Sequence, residues 1–498
     1  MTTFKNNKPF RDKTVLEILD KYKDLWALSH VSAVSGWDLE TYMPEQGASA
    51  RGMALGRIST IYQKIFLDSE FVSLIHKAGC QNGLTDAERG VVRILAHSLK
   101  FYEKVPPKFL EDFSLLTSQA TVVWREAKAK NDSKLFEPYL TKIFGMNKEL
   151  AEYLTYKDSP YDALLDQFEK GLTAAEVESF FNEVREPLKV LLTKITSSKK
   201  YLKVNQLENA KYDKVKMADL NAKVLKYLWP EFGKNFRLDI STHPFTTSFA
   251  SSDTRITTWY HDTDFGRSLL AVIHEFGHAL YDLQCDKGLD MTPVGGGSSL
   301  VIHESQSRFW ENFVGRSEGF IKKFLPDMQK VVGKNITSSE VYSYFNKVAP
   351  GNLRVEADEV TYHFHIMLRF EIEKGIIEGA LKVKDIPEIW NAKMKEYLGI
   401  IPKTDSEGAL QDIHWSMGSV GYFPTYSLGT FLGGQWEDKV AKSGTKSYKD
   451  IEKMLQKFVH RYGSIYTLEK LLTKNKMKFD SSVNLKYLEE KYLRIYNL

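Results

Sequence analysis

The chain has 498 residues, 43% hydrophobic and 27% charged, an ordinary balance for a soluble globular protein and enough length for a large core or several domains. Sixty-eight basic residues against 64 acidic ones leave a net charge of +4, which gives no argument for nucleic acid or an anionic membrane as the main partner. Two cysteines, Cys80 and Cys285, exclude a disulfide framework and fit a reducing, cytoplasmic setting.

The N-terminal MTTFKNNKPFRDK has no apolar run after its basic residues, so it does not read as a secretory signal. No stretch reaches the roughly 18 apolar residues of a membrane helix. Residues 14 to 155 read as successive helices, among them Thr14–His30, Ala48–Leu67, Asp86–Glu103 and Lys108–Ala129. Pro106–Pro107 and Asn131–Ser133 mark breaks, and Trp37–Gly47 reads as an irregular turn. Between 173 and 228 two or three more helices are expected, the first opened by a capping box at Thr173–Glu176. From Asn235 the pattern alternates apolar and polar residues, predicting two or three short strands up to His261. An edge strand there can hold an extended peptide by main-chain hydrogen bonds.

Asp264–Lys287 reads as one helix with a broad apolar face, capped by Asp262 or Asp264 and ended before Gly288. It carries His274, Glu275 and His278 in the pattern HExxH. Residues four apart share a helix face, so both imidazoles can point at one ion, with zinc the expected one. Glu275 stands beside the first ligand, where a general base for an ion-activated water belongs. Two histidines on a buried helix can also be satisfied core residues. Against that, eight of the twelve histidines fall between His243 and His414. Gly295–Gly297 then break the chain, and Ser298 or Ser299 can cap a helix from about Leu300 to Val314. Glu304 on that helix is the favoured third ligand, with Glu311 its main competitor. Asp282 fits either a partner to a ligand imidazole or a salt bridge.

A helix is expected from about Val355, with Arg354, Asp358, Tyr362 and His365 on one polar face. Gly408–Gly429 is too rich in glycine and aromatics for a plain helix, and offers His414, Tyr422 and Tyr426 as hydrogen-bond donors. Residues 446 to 498 return to amphipathic helix.

Six segments together resemble one family: HPF at His243–Phe245, DTRIT at Asp253–Thr257, HEFGH at His274–His278, HESQ at His303–Gln306, LRVEAD at Leu353–Asp358 and GALQDIHW at Gly408–Trp415. They resemble the metallocarboxypeptidases of the thermostable carboxypeptidase (carboxypeptidase Taq) family. Leu353, where that family usually has Ile or Val, is a volume-conserving departure. The resemblance implies a mainly α, groove-forming fold with a small antiparallel β-sheet next to the HExxH helix. It implies one catalytic domain over 1–498, with a helical part to about 230, a metal-site part over about 231–430 and a helical part over about 431–498. It further implies a homodimer, and zinc, replaceable by cobalt, on His274, His278 and Glu304. The expected activity is removal of single residues, with broad tolerance, from peptides carrying a free C-terminal carboxylate, with Glu275 as general base and acid. The alternative is a zinc oligopeptidase that cuts short peptides internally. Arg354 is the expected reader of the terminal carboxylate, because guanidinium grips carboxylate bidentately. By similarity to helical zinc peptidases, His414 and Tyr422 are assigned to the developing oxyanion. His243, Arg255 and Tyr426 are assigned to substrate binding, the segments of the first two shaping or closing the end of the groove.

Overall fold

The structure, a computed structural model, describes residues 8–208, 210–445 and 447–498. Residues 1–7 and Lys446, parts of the N-terminal stretch and the C-terminal helical region read above, lie outside the described residues. Nineteen α-helices and one three-stranded sheet make up the described residues, a mainly α fold. None of these helices is long and apolar enough to cross a membrane.

The chain divides into two compact units. The first takes the residues through Lys100, Gln206–Phe345 and Gln435–Phe479. It opens with a helix over Lys13–Thr41, capped by Asp12, whose side chain accepts from Val15 N–H. Trp37 lies inside this helix, so the expected irregular segment begins only after Thr41. Its indole is stacked by the guanidinium groups of Arg237 and Arg255, each 4.7 Å from the ring.

Strands β1 (Phe236–Ile240), β2 (Thr246–Ala250) and β3 (Asp253–Thr258) lie in the order β1-β3-β2. Only two residues separate β2 from β3, which forces an antiparallel hairpin. The Ser241–Phe245 loop does not let β1 pair with β2, because Thr257 on β3 draws it in: the hydroxyl accepts from Phe245 N–H at 3.0 Å. Strand β3 thus enters between them and runs parallel to β1. The sheet is mixed, not wholly antiparallel as expected, and β2 is an edge.

The second unit takes Phe101–Asn205, Asn346–Gly434 and Asp480–Leu498. Its helices Pro107–Lys130 and Ser133–Leu154 meet at Asn131, which adopts a left-handed φ of 54°, with Asp132 capping the second helix. The capping box forms as expected, Thr173 and Glu176 each satisfying the other's amide. At its centre, helix Tyr362–Ile377 is buried on all sides from Tyr362 to Phe370, so its polar residues must find partners inside the protein.

The expected single helix from Val355 is broken. Arg354–Glu356 form one 3₁₀ turn and the α-helix starts only at Tyr362. Asp358 is the cause. Its carboxylate accepts from the amides of Ala349, Val360 and Thr361 and from the Thr361 hydroxyl, at 2.7–3.0 Å. Those bonds compete with helical ones and turn the chain instead.

Candidate active site

In the first unit, helix Phe265–Leu283 is capped by Asp264, which accepts from Arg267 N–H at 2.9 Å. Leu269, Val272, Ile273, Phe276, Ala279 and Leu280 are fully buried. Phe276 packs against Phe236 of β1 and, edge-on, against Trp310 of the following helical segment. The helix is therefore clamped between the sheet and that segment. Gly277 permits the close crossing, since a Cβ there would stand 2.5 Å from the carbonyl oxygen of Gln306. The helix Leu300–Arg308, capped by Ser299, is thereby brought against the two histidines.

Nε2 of His274 lies 3.7 Å, and Nε2 of His278 3.4 Å, from Oε2 of Glu304, and the three donor atoms lie within 4.8 Å of one another. Each imidazole is held from behind. His274 Nδ1 is 3.0 Å from Glu311 Oε2, and His278 Nδ1 is 2.9 Å from His303 Nδ1. The chain runs from Arg308 straight into a π-helical turn, Phe309–Gly315, which carries Glu311. Such turns recur at functional sites. Glu311 also accepts from Arg308 Nη1 at 3.1 Å and Arg316 Nη2 at 2.7 Å, while Arg308 Nε donates to Glu304 Oε1 at 2.7 Å. Of the two competing carboxylates, Glu304 joins the donor cluster and Glu311 stands behind it.

Burial alone would push Glu304 and Glu311 upward. Arg308 together with the two imidazoles at Glu304, and Arg308 together with His274 and Arg316 at Glu311, outweigh that burial, so both are held far below the usual carboxylate range. His274, with burial opposed by Glu304 and Glu311, is raised, whereas burial wins at His278 and lowers it. Two imidazole nitrogens and an ionised, buried carboxylate oxygen, with both outer nitrogens already engaged, are donors that a divalent metal ion takes. The residues fit a divalent cation.

Glu275 is buried, and its Oε2 accepts the hydroxyl of Thr246 on β2 at 2.6 Å. Arg255, on β3, is paired with Asp253 at 2.8–3.0 Å and stacks on Trp37 and Phe249. His243 is exposed in the β1–β2 loop, whose carbonyl at that residue accepts from Ser241 and Thr257.

In the second unit the structure gathers Arg354, His414, Tyr422 and Tyr426. Arg354 is buried, and its Nε and Nη2 donate to Oδ1 of Asp412 at 3.1 and 2.8 Å. Nη1 reaches Tyr362 Oη at 3.3 Å. The other oxygen of Asp412 takes Arg369, which is fully buried and stacked on Trp390. His414 opens a short 3₁₀ turn, its Nε2 3.3 Å from Tyr426 Oη and its ring against Tyr422 and Phe423. Burial lowers His414 to about 4, more than Asp412 restores. Asp412 is driven far below the carboxylate range, because Arg354 and Arg369 outweigh its burial.

The sequence pattern carried no role for Asp412, Arg369 or Thr246. Asp412 stood within GALQDIHW and Thr246 directly after HPF, so both lay in segments already singled out. Arg369 had a periodic signal, seven residues from Tyr362 on one helix face.

Residues 17–492 match the family model of the carboxypeptidase Taq (M32) metallopeptidases. Thermostable carboxypeptidase 1 of Pyrococcus furiosus is 45% identical over 97% of this chain and 99% of that protein. The protein of the same name from Thermus thermophilus is 32% identical over 96% and 98%. A solved structure of Pyrococcus furiosus carboxypeptidase matches with a TM-score of 0.95 at 44% identity, covering 97% of this chain and all of that one. With a family match over nearly its whole length and the donor cluster above, the chain belongs to the carboxypeptidase Taq (M32) metallopeptidase family and is a metallocarboxypeptidase, a peptide hydrolase.

Proposed function

We propose that this chain, acting as one catalytic domain over its length and as a cytoplasmic homodimer, removes single residues with broad tolerance from peptides that end in a free carboxylate. Zn2+, replaceable by Co2+, is held by His274, His278 and Glu304. The observation that carries this reading is the convergence of their three donor atoms within 4.8 Å. When bound, the cation supplies Lewis acidity to the scissile carbonyl and to the attacking water.

The chain's own residues do the rest. Glu275 takes the proton of the attacking water and returns it to the leaving amine. The Thr246 hydroxyl fixes one of its carboxylate oxygens and leaves the other for the proton. Arg354 spends one N–H each on Nε, Nη1 and Nη2 on Asp412 and Tyr362. That leaves one N–H on each terminal nitrogen for a terminal carboxylate. His414, kept neutral by burial, and Tyr422 donate to the oxyanion. His243 and Arg255 shape the end of the groove, Tyr426 binds the substrate, and edge strand β2 pairs with the extended peptide.

Digestion of matched free-acid and C-terminally amidated peptides, followed by mass spectrometry with and without Zn2+ or Co2+, tests this. A ladder shortened one residue at a time from the free-acid end is expected, with amidated peptides cut poorly. Internal cleavage of amidated peptides at full speed would favour an oligopeptidase instead.

A further inference from the structure

We infer that His303 is a positioning residue for the ion-binding His278. Its Nδ1 accepts the hydrogen bond that keeps the Nε2 lone pair of His278 free toward the ion, and the glycine loop before it moulds the ring for that task. The inference rests on the metal-centre reading above and extends it to a side chain outside the ligand set.

Nε2 of His278 faces the donor cluster, 3.4 Å from Glu304 Oε2. It can hold a cation only if it carries no proton there. A neutral imidazole then bears its proton on Nδ1, which lies 2.9 Å from Nδ1 of His303. Two nitrogens at that separation share one hydrogen, so His278 donates and His303 accepts. His303 must in turn keep its own proton on Nε2. Asp282 favours that tautomer, with Oδ1 3.7 Å from His303 Nε2. Asp282 is fixed by the Gly297 amide, which donates to the same oxygen at 2.7 Å.

The ring has little room to leave this position. Tyr281 packs on it with centroids 5.0 Å apart, and Tyr281 is itself anchored through its hydroxyl to Gly463 O at 3.0 Å and Ser298 N at 3.1 Å. A Cβ on Gly297 would stand 2.1 Å from His303 Nε2. The glycine run is therefore a close-fitting wall. The two imidazoles are oriented by unlike groups, a carboxylate behind His274 and a second imidazole behind His278. Partners of this outer kind typically set ligand orientation and are worth about 10–100-fold in metal affinity.

The test uses full-length protein stripped of metal, with Zn2+ titrated against a chromophoric chelator. H303F, which keeps an aromatic ring but has no acceptor, is expected to bind Zn2+ about 10–100-fold more weakly. H303N, whose carboxamide oxygen can take the same N–H, is expected to recover most of that loss. The visible Co2+ spectrum should change in H303F and return toward wild type in H303N, while the stripped proteins unfold at similar denaturant concentrations. G297A, which displaces the ring without touching a ligand, should weaken Zn2+ binding in the same direction. Wild-type affinity in H303F, or equal losses in H303F and H303N, overturns the inference while leaving the metal centre standing. Absence of stoichiometric Zn2+ uptake by the wild-type protein overturns both.

Discussion

The two regions that carry the candidate chemistry have opposite charge imbalances. Around His274 and His278, Glu275, Glu304, Glu311 and Asp282 are buried, and Arg308 and Arg316 pair with Glu304 and Glu311. Around Arg354, two guanidinium groups share the single carboxylate of Asp412. The first region lacks positive charge and suits a divalent cation. The second lacks negative charge and suits a carboxylate. Both are buried, where an uncompensated charge is costly, so each imbalance selects its ligand strongly. They also differ in construction. One is built on two regular helices, the other on turns and a 3₁₀ segment flanking a buried helix.

The sharpest way to break the comparison lies in the first region. Glu304→Ala should lose the bound ion and with it all measurable peptide hydrolysis, read by metal analysis and a peptide assay. A variant that keeps one tightly held Zn2+ and full turnover would leave the acidic imbalance without a purpose. Glu275→Gln should act differently, keeping the ion and lowering kcat by about 10²–10⁴-fold, the usual worth of a positioned acid–base group. Loss of the ion in that variant would mean that Glu275 holds the site together and does not act on the water.

The second region should respond through substrate choice. Arg354→Ala is expected to lower kcat/KM on free-acid peptides by roughly a hundredfold, about 2.7 kcal/mol, in line with a charge-assisted bidentate contact. Amidated peptides should lose little, so the gap between the two substrates narrows. Asp412 keeps Arg369 in this variant, so no charge is left buried alone. Equal losses on both substrates would make Arg354 a structural member of an ion pair only.

This contrast also explains what could be read from the sequence. His274 and His278 stand four apart on one helix, so helical periodicity brought that pair together, whereas the choice of Glu304 over Glu311 needed the close crossing of the next helix at Gly277. The β-strands announced themselves by alternation, but the direction of β1 depended on where the Thr257 hydroxyl draws the loop, which no period encodes. In the second region, Asp358 breaks the expected helix by local hydrogen bonds that propensity does not weigh. Asp412 and Arg369 are 43 residues apart and meet only through the fold. Their pairing has no local signature: the helical spacing puts Arg369 on the Tyr362 face but does not point it to Asp412.

The smallest expected effect concerns protons in the second region. His414 is pushed down to about 4 and His365 to about 3, chiefly by burial, so both stay neutral in the folded protein while the unfolded chain takes up a proton near pH 6.5. Between pH 6.5 and 4 the unfolded state binds more protons, so stability falls as pH falls, by at most about 1.4 kcal/mol per pH unit for each group. Glu373 works the other way. Buried beneath Tyr161, Trp415 and the Gly421 amide, it is raised to about 7, and its share of stability is lost as pH rises from 4.5 to 7. In this region the two histidines outnumber it, and elsewhere His460, lowered to about 3 by burial, offsets Glu452, raised to about 7 by burial, so a net loss on acidification is expected over the range where these groups act. Denaturant unfolding at pH 6.5 and pH 5, with a chelator present so that metal release does not enter, measures the slope. His414→Asn should flatten it by close to one proton. An unchanged slope would mean that His414 is already protonated in the folded state, and it would then add a third positive charge to the cluster around Asp412.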